Sequence, residues 1–86
     1  MDNLETLREK IDQIDSEILI LFAKRFSLVG QIGTYKRAQN MPIINKDREK
    51  KKIEALVKKG TTQGISRNFI ENVWQAIFVE SYRLEK

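Results

Sequence analysis

Apolar residues recur along the first part of the chain at alternating spacings of three and four: Leu4, Leu7, Ile11, Ile14, Ile18, Leu21, then Leu28, Ile32 and Tyr35. A 3.5-residue repeat puts these side chains in one lengthwise seam, the pattern of a helix packed along other helices. The spacing predicts a single long helix from Leu4 to about Ala38. Asp2 or Asn3 is placed to cap it, and Glu5 and Glu9 suit the positive end of its dipole. From Ile18 to Ala23 the helix is apolar on every side, so this stretch is predicted to be wrapped by several partners, more than one short chain supplies. Gly30 and Gly33 interrupt the pattern. Each costs about 1 kcal/mol relative to alanine, which marks close packing or a weakened end. The pattern fades at Gln39 and Asn40, and Pro42 makes continuation past Met41 unfavourable.

A second helix is predicted from an Asn45 N-cap to about Lys59, with Gly60 as its C-cap. Glu49, Ile53 and Leu56 share one face, while Lys50, Lys51, Lys52, Lys58 and Lys59 read as a solvated surface. After a polar loop over 61–64, Ser66 caps a third helix, with Ile65 and Ile70 spaced as a hydrophobic staple. The stripe of this helix is Ile70, Val73, Trp74, Ile77, Ser81 and Leu84, an apolar line interrupted by one serine. The expected fold is therefore all-α, with one long and two shorter helices in a single domain spanning 1–86. A monomer of this size buries only about 60% of the surface its unfolded chain exposes. Without cysteine there are no disulfides to compensate, so oligomerisation is the remaining device.

The balance of 16 Lys plus Arg against 12 Asp plus Glu changes this picture little, since a net charge of +4 suits an anionic small molecule as well as nucleic acid. The absence of histidine and cysteine changes it more: it removes the commonest general base, thiolate metal sites and imidazole-based triads. No apolar run long enough for a membrane span and no signal-peptide pattern is visible, which points to a cytoplasmic chain. The candidate chemistry lies in three cations. Arg25 occupies a seam position, and Arg8 and Lys36 each directly follow one. Arg25 and Lys36 share a face roughly 16 Å apart along the axis, a span that two long side chains can bracket around a small ligand. Arg8 lies roughly 25 Å from Arg25 on the same helix. It can meet Arg25 only if two chains pack antiparallel, which creates two equivalent sites about a two-fold axis. Arg25 is open to two readings, a buried structural ion pair or an anion site.

Five motifs then carry a resemblance over essentially the whole chain. They are Leu7-Arg8-Glu9-Lys10-Ile11-Asp12 with Ile14-Asp15, Leu21-Phe22-Ala23-Lys24-Arg25, Ile32-Gly33-Thr34-Tyr35-Lys36, Pro42-Ile43-Ile44-Asn45-Lys46-Asp47-Arg48-Glu49 and Phe78-Val79-Glu80-Ser81. In this order and spacing they resemble the all-helical chorismate mutases, the AroQ class. The resemblance implies an intertwined homodimer of three-helix chains with active sites shared between them. It also implies an isomerase that converts chorismate to prephenate by a pericyclic rearrangement in phenylalanine and tyrosine biosynthesis. In that family's scheme Arg8 enters the partner's site and grips a carboxylate, and Arg25 binds the other carboxylate region. Lys36 donates to a carboxylate and the ether oxygen, Arg48 and Ser81 orient the ligand, and Glu49 accepts from the ring hydroxyl. Asn45 contributes mainly through its backbone. Such a reaction needs no nucleophile, proton shuttle, metal or cofactor; it needs conformational restriction and preorganised cations. Neither nucleic acid nor membrane is expected as a partner. Association with another shikimate-pathway enzyme is a further partner that the family suggests.

Two positions depart from the family pattern. Asn45 stands where aspartate is frequent, and Glu85 stands where bacterial relatives commonly carry a glutamine that donates to the ether oxygen. On the same fold, a 4-amino-4-deoxychorismate mutase and an isochorismate pyruvate lyase are the alternatives. From a different class, a basic helical binding or regulatory module is the competitor. An ionised glutamate cannot donate a hydrogen bond and a protonated one can, so Glu85 is expected to be protonated in the active complex. Activity should rise as pH falls from about 8 to about 5, and Glu85→Gln should flatten the profile. A flat wild-type pH–rate profile over that range contradicts this role.

Overall fold

The computed structural model describes residues 3–86, which form three helices joined by short connections: α1 Leu4–Ala38, α2 Lys46–Thr61 and α3 Arg67–Glu85. The all-α expectation holds, with no strand among the described residues. Each helix begins on the cap its sequence provides. Asn3 Oδ1 accepts from the Thr6 N–H at 2.8 Å, Asn45 Oδ1 from the Arg48 N–H at 3.1 Å, and Ser66 Oγ from the Phe69 N–H at 3.2 Å. These bonds satisfy donors that have no partner inside the helix. Asp2, the alternative cap for α1, lies outside the described residues.

The end of α2 corrects the sequence reading. Gly60 is a buried helical residue rather than the C-cap, and α2 continues to Thr61. The left-handed residue is Gly64, at φ +83°, in the turn that leads to α3. Gly60 is small for another reason: a Cβ there would sit 2.5 Å from Ile70 Cδ1, and it would also meet Ile65. Both staple residues therefore close over the end of α2.

α3 packs on both other helices, which do not pack on each other. Against α2, a small core forms from Ile53, Val57, Ile70 and Phe78, with Leu56, Trp74 and Tyr82 partly covered beside it. Against α1, the buried residues are Val29 and Gly33. α3 does not cover the seam: Leu28, Ile32 and Tyr35 stay exposed, and α3 lies instead on the adjacent face. At Gly33 the helices nearly touch by backbone, since a Cβ would lie 2.7 Å from Glu85 Cα and 2.8 Å from its carbonyl oxygen. Gly30 has open space around it, so only Gly33 answers to close packing within the chain.

The first half of α1 projects away from this core. The molecule measures 57 × 24 × 15 Å, its long axis close to the length of a 35-residue helix at about 1.5 Å per residue. Leu4, Leu7, Ile11, Ile14, Ile18, Leu19, Ile20 and Leu21 are all exposed. The apolar stretch over 18–23 is therefore not wrapped by its own chain. A contiguous apolar surface of this length on a single chain marks an interaction face.

The Gly33 contact generates a stability prediction. The atoms that a Cβ at Gly33 would strike belong to backbone and cannot rotate away, so Gly33→Ala should destabilise by about 1–3 kcal/mol despite better helix propensity. Gly30→Ala should be neutral or stabilising. Thermal unfolding of the two variants decides it, and equal melting temperatures would remove the packing role assigned to Gly33.

Candidate functional site

A cleft of about 310 Å³ opens where α1, the connection to α2, and α3 converge, and it gathers residues distant in sequence. Arg25, Lys36, Asn45, Arg48, Glu49, Ser81 and Glu85 all line it. Every proposed site residue but one is therefore brought together inside a single chain. The exception is Arg8, which is exposed on the projecting half of α1, roughly 25 Å of helix away from Arg25.

On the α1 wall, Arg25 is half-buried and its Nη1 donates to Ser81 Oγ at 3.0 Å. The Ser81 hydroxyl in turn donates to the Ile77 carbonyl at 2.7 Å, which fixes its lone pairs toward the guanidinium. The serine that interrupts the α3 stripe is thus explained: it is a buried acceptor for a half-buried cation. Burial lowers the Arg25 pKa from the ordinary guanidinium value, yet an arginine remains charged throughout the working range. Its guanidinium also lies 6.0 Å from the centre of the Phe26 ring, which stacks on Phe22.

Three turns along α1, Lys36 Nζ donates to the Ile43 carbonyl at 2.9 Å and lies 2.7 Å from Glu85 Oε1. The Glu85 side chain is only 5% exposed, so this ion pair sits in a poorly solvated site. Glu85 belongs to the last turn of α3, and that turn is held in place. Arg37 Nη1 donates to the Glu85 carbonyl oxygen, and Arg37 Nη2 donates to Thr34 Oγ1 at 3.3 Å. Helix ends fray unless their carbonyls find partners; here one does.

The opposite wall is the start of α2. Glu49 is buried at 7% exposure, and its closest cation is the exposed Lys46, 3.4 Å from Oε2. Arg48 and Lys52 lie at the rim, exposed and with no acidic partner within salt-bridge distance among the described residues. Tyr82 completes the lining and was not identified from the sequence, although it lies one turn after Phe78 and one before Glu85. Burial first, and then its hydrogen bond to Glu49, push the Tyr82 phenol up to about 12, against an opposing backbone hydrogen bond from Asn45. The phenol therefore stays protonated to higher pH than an exposed tyrosine would.

A second, larger groove between α2 and α3 is of a different kind. There Arg67 forms a two-pronged pair with Glu54, at 2.8 and 3.0 Å, and a longer one with Glu71. Arg67 holds the Glu54 carboxyl below its ordinary value, and these charges satisfy one another. In the cleft, by contrast, cations outnumber carboxylates, and the arrangement is suited to an anion with several oxygens. No group of three or more acidic side chains stands close enough to hold a metal among the described residues.

Comparison with known proteins gives this geometry its context. Residues 7–86 match the family model for chorismate mutase type II. The T-protein of Haemophilus influenzae is 39% identical over 85 residues, covering 99% of this chain and 22% of that protein. The T-protein of Enterobacter agglomerans is 34% identical over 82 residues. The bifunctional chorismate mutase/prephenate dehydratase of Escherichia coli K12 is 32% identical over 78 residues, covering 91% of this chain and 20% of that protein. The chain belongs to the chorismate mutase type II family, the family that its motifs resemble. It spans about a fifth of the length of these relatives.

Tyr82 yields a pH prediction whose sign follows from the raised value. The fold favours the protonated phenol, so its stabilisation is complete below the unfolded value of 10.0 and is lost as pH rises through about 12. Denaturant midpoints should fall between these two pH values, and fall less in Tyr82→Phe. Identical slopes in the two proteins would show that Tyr82 does not titrate in this way.

Proposed function

We propose that this domain converts chorismate to prephenate, supplying phenylalanine and tyrosine biosynthesis in the cytoplasm, and that it works as a homodimer with two shared sites. The observation that carries the reading is the cleft itself: Arg25, Lys36 and Arg48 converge on one volume with Ser81 and the buried carboxylates of Glu49 and Glu85. The reaction breaks one C–O bond and forms one C–C bond within a single molecule, so it asks for no proton shuttle or nucleophile. A chain without histidine or cysteine can perform it. The barrier falls when the dianion is held compactly and positive charge awaits the departing ether oxygen.

Each residue has a part. Arg25 takes one carboxylate region through its planar fork. Lys36 exchanges its ion pair with Glu85 for a ligand carboxylate and the ether oxygen. Glu49, oriented by Tyr82, accepts from the ring hydroxyl, and Asn45, Arg48 and Ser81 orient the ligand. Protonated Glu85 donates to the ether oxygen. Arg8 arrives from the second chain. The exposed seam from Leu4 to Leu21 supports that second chain, because an antiparallel partner would cover it and bring its Arg8 toward Arg25.

The alternatives on the same fold, a 4-amino-4-deoxychorismate mutase or an isochorismate pyruvate lyase, are separated by assay with the three substrates. A nucleic-acid-binding role is less well supported: Arg25 and Lys36 face a cleft rather than the exposed lysine surface of α2. No described helix is long and apolar enough to cross a membrane. The bifunctional relatives support association with a second enzyme of the same pathway.

Purified protein should consume chorismate, and Arg25→Ala should reduce the rate by roughly two to three orders of magnitude. Mixing inactive Arg8→Ala and Arg25→Ala chains should restore about a quarter of wild-type activity, because a mixed dimer retains one intact site. No turnover by the wild type overturns the activity, and no recovery on mixing overturns the shared site.

A further inference from the structure

We propose that Arg37 is a positioning residue, which clasps the last turn of α3 to α1 and thereby holds the Glu85 carboxyl group in the cleft. This rests on reading the cleft as the chorismate site and assigns a role to a residue outside it. The clasp has three parts. Arg37 Nη1 donates to the Glu85 carbonyl oxygen, one of the acceptors a helix leaves open at its C-terminal end, where a cation is also favoured by the dipole. The guanidinium is steadied from behind, because Nη2 donates to Thr34 Oγ1 at 3.3 Å and that hydroxyl donates to the Gly30 carbonyl at 3.2 Å. One turn earlier, Gly33 lets the Glu85 backbone approach to within a distance that any side chain would block.

The neighbouring residues Lys36 and Arg37 thus grip the same residue from two sides. Lys36 meets the Glu85 carboxylate, and Arg37 meets its carbonyl. The two grips differ in what happens when an anion enters. Lys36 is drawn toward the ligand, so its hold on the carboxylate weakens at the moment Glu85 must be in place. Arg37 lies outside the cleft lining, and its hold is untouched. A hydrogen-bond donor that is free to swing away contributes little, because a displacement of about 1 Å can cost on the order of 100-fold in rate.

The test is a double-mutant cycle on the full chain. Arg37→Ala should lower kcat about tenfold while leaving KM nearly unchanged, and adding Glu85→Ala should cost little more than Glu85→Ala alone. Arg83→Ala serves as the control, since it removes a cation from the same end of α3 that pairs with Glu80. Independent, multiplying effects of Arg37→Ala and Glu85→Ala would overturn the proposal, as would wild-type kcat in Arg37→Ala. Hydrogen exchange of the last turn of α3 reads the clasp without substrate. Protection should drop in Arg37→Ala and persist in Arg83→Ala, and unchanged protection in Arg37→Ala overturns the clasp. If the wild type consumes no chorismate, the functional reading fails, while the exchange measurement still judges the clasp.

Discussion

A charge taken out of water must find a partner, and in this chain that requirement joins α1 to α3. Arg25 and Lys36 are both half-buried, and each is answered from α3: Arg25 by the Ser81 hydroxyl, Lys36 by the Glu85 carboxylate. Losing either acceptor would leave a partly buried cation with one partner fewer, a cost that a chain with a small core is poorly placed to absorb. The same two contacts hold α1 and α3 together along one side of the cleft. Structural compensation within the chain and the proposed ligand recognition therefore draw on the same groups.

α1 divides its labour by face and by half. Its second half presents Val29 and Gly33 to α3, and Arg25 and Lys36 to the cleft. Its first half presents a long apolar seam that this chain leaves bare. The single chain holds seven of the eight expected site residues in one cleft, and only Arg8 stands outside it. That one displaced residue lies on the uncovered half, so the proposed second chain would complete the apolar packing and the site together.

α2 and α3 show how local and tertiary demands divide. Asn45 and Ser66 act within three residues of themselves, so their capping roles are readable without any fold. Gly60 and Gly64 are not separable that way. Both suit a helix end, but Gly60 is small because Ile70 crosses it, and Gly64 is the residue that takes positive φ. Arg37 and Tyr82 escaped notice for the same reason. Each looks like an ordinary surface residue until a partner from another element, the Glu85 carbonyl or the Glu49 carboxylate, comes to meet it.

What the amino-acid sequence determined by itself is what depends on near neighbours: three helices, their starts, the apolar seam, the misplaced arginine and the exclusion of imidazole and thiol chemistry. Short-range hydrogen bonds and helical periodicity carry that information within a few residues. The tertiary structure decided which face of α1 would be covered, because that depends on where Gly33 lets another backbone approach. It also decided that Glu85 would be a buried, ion-paired group in an ordered last turn. Those contacts join residues about fifty positions apart, with geometry set by the crossing of two helices and by no local preference of either.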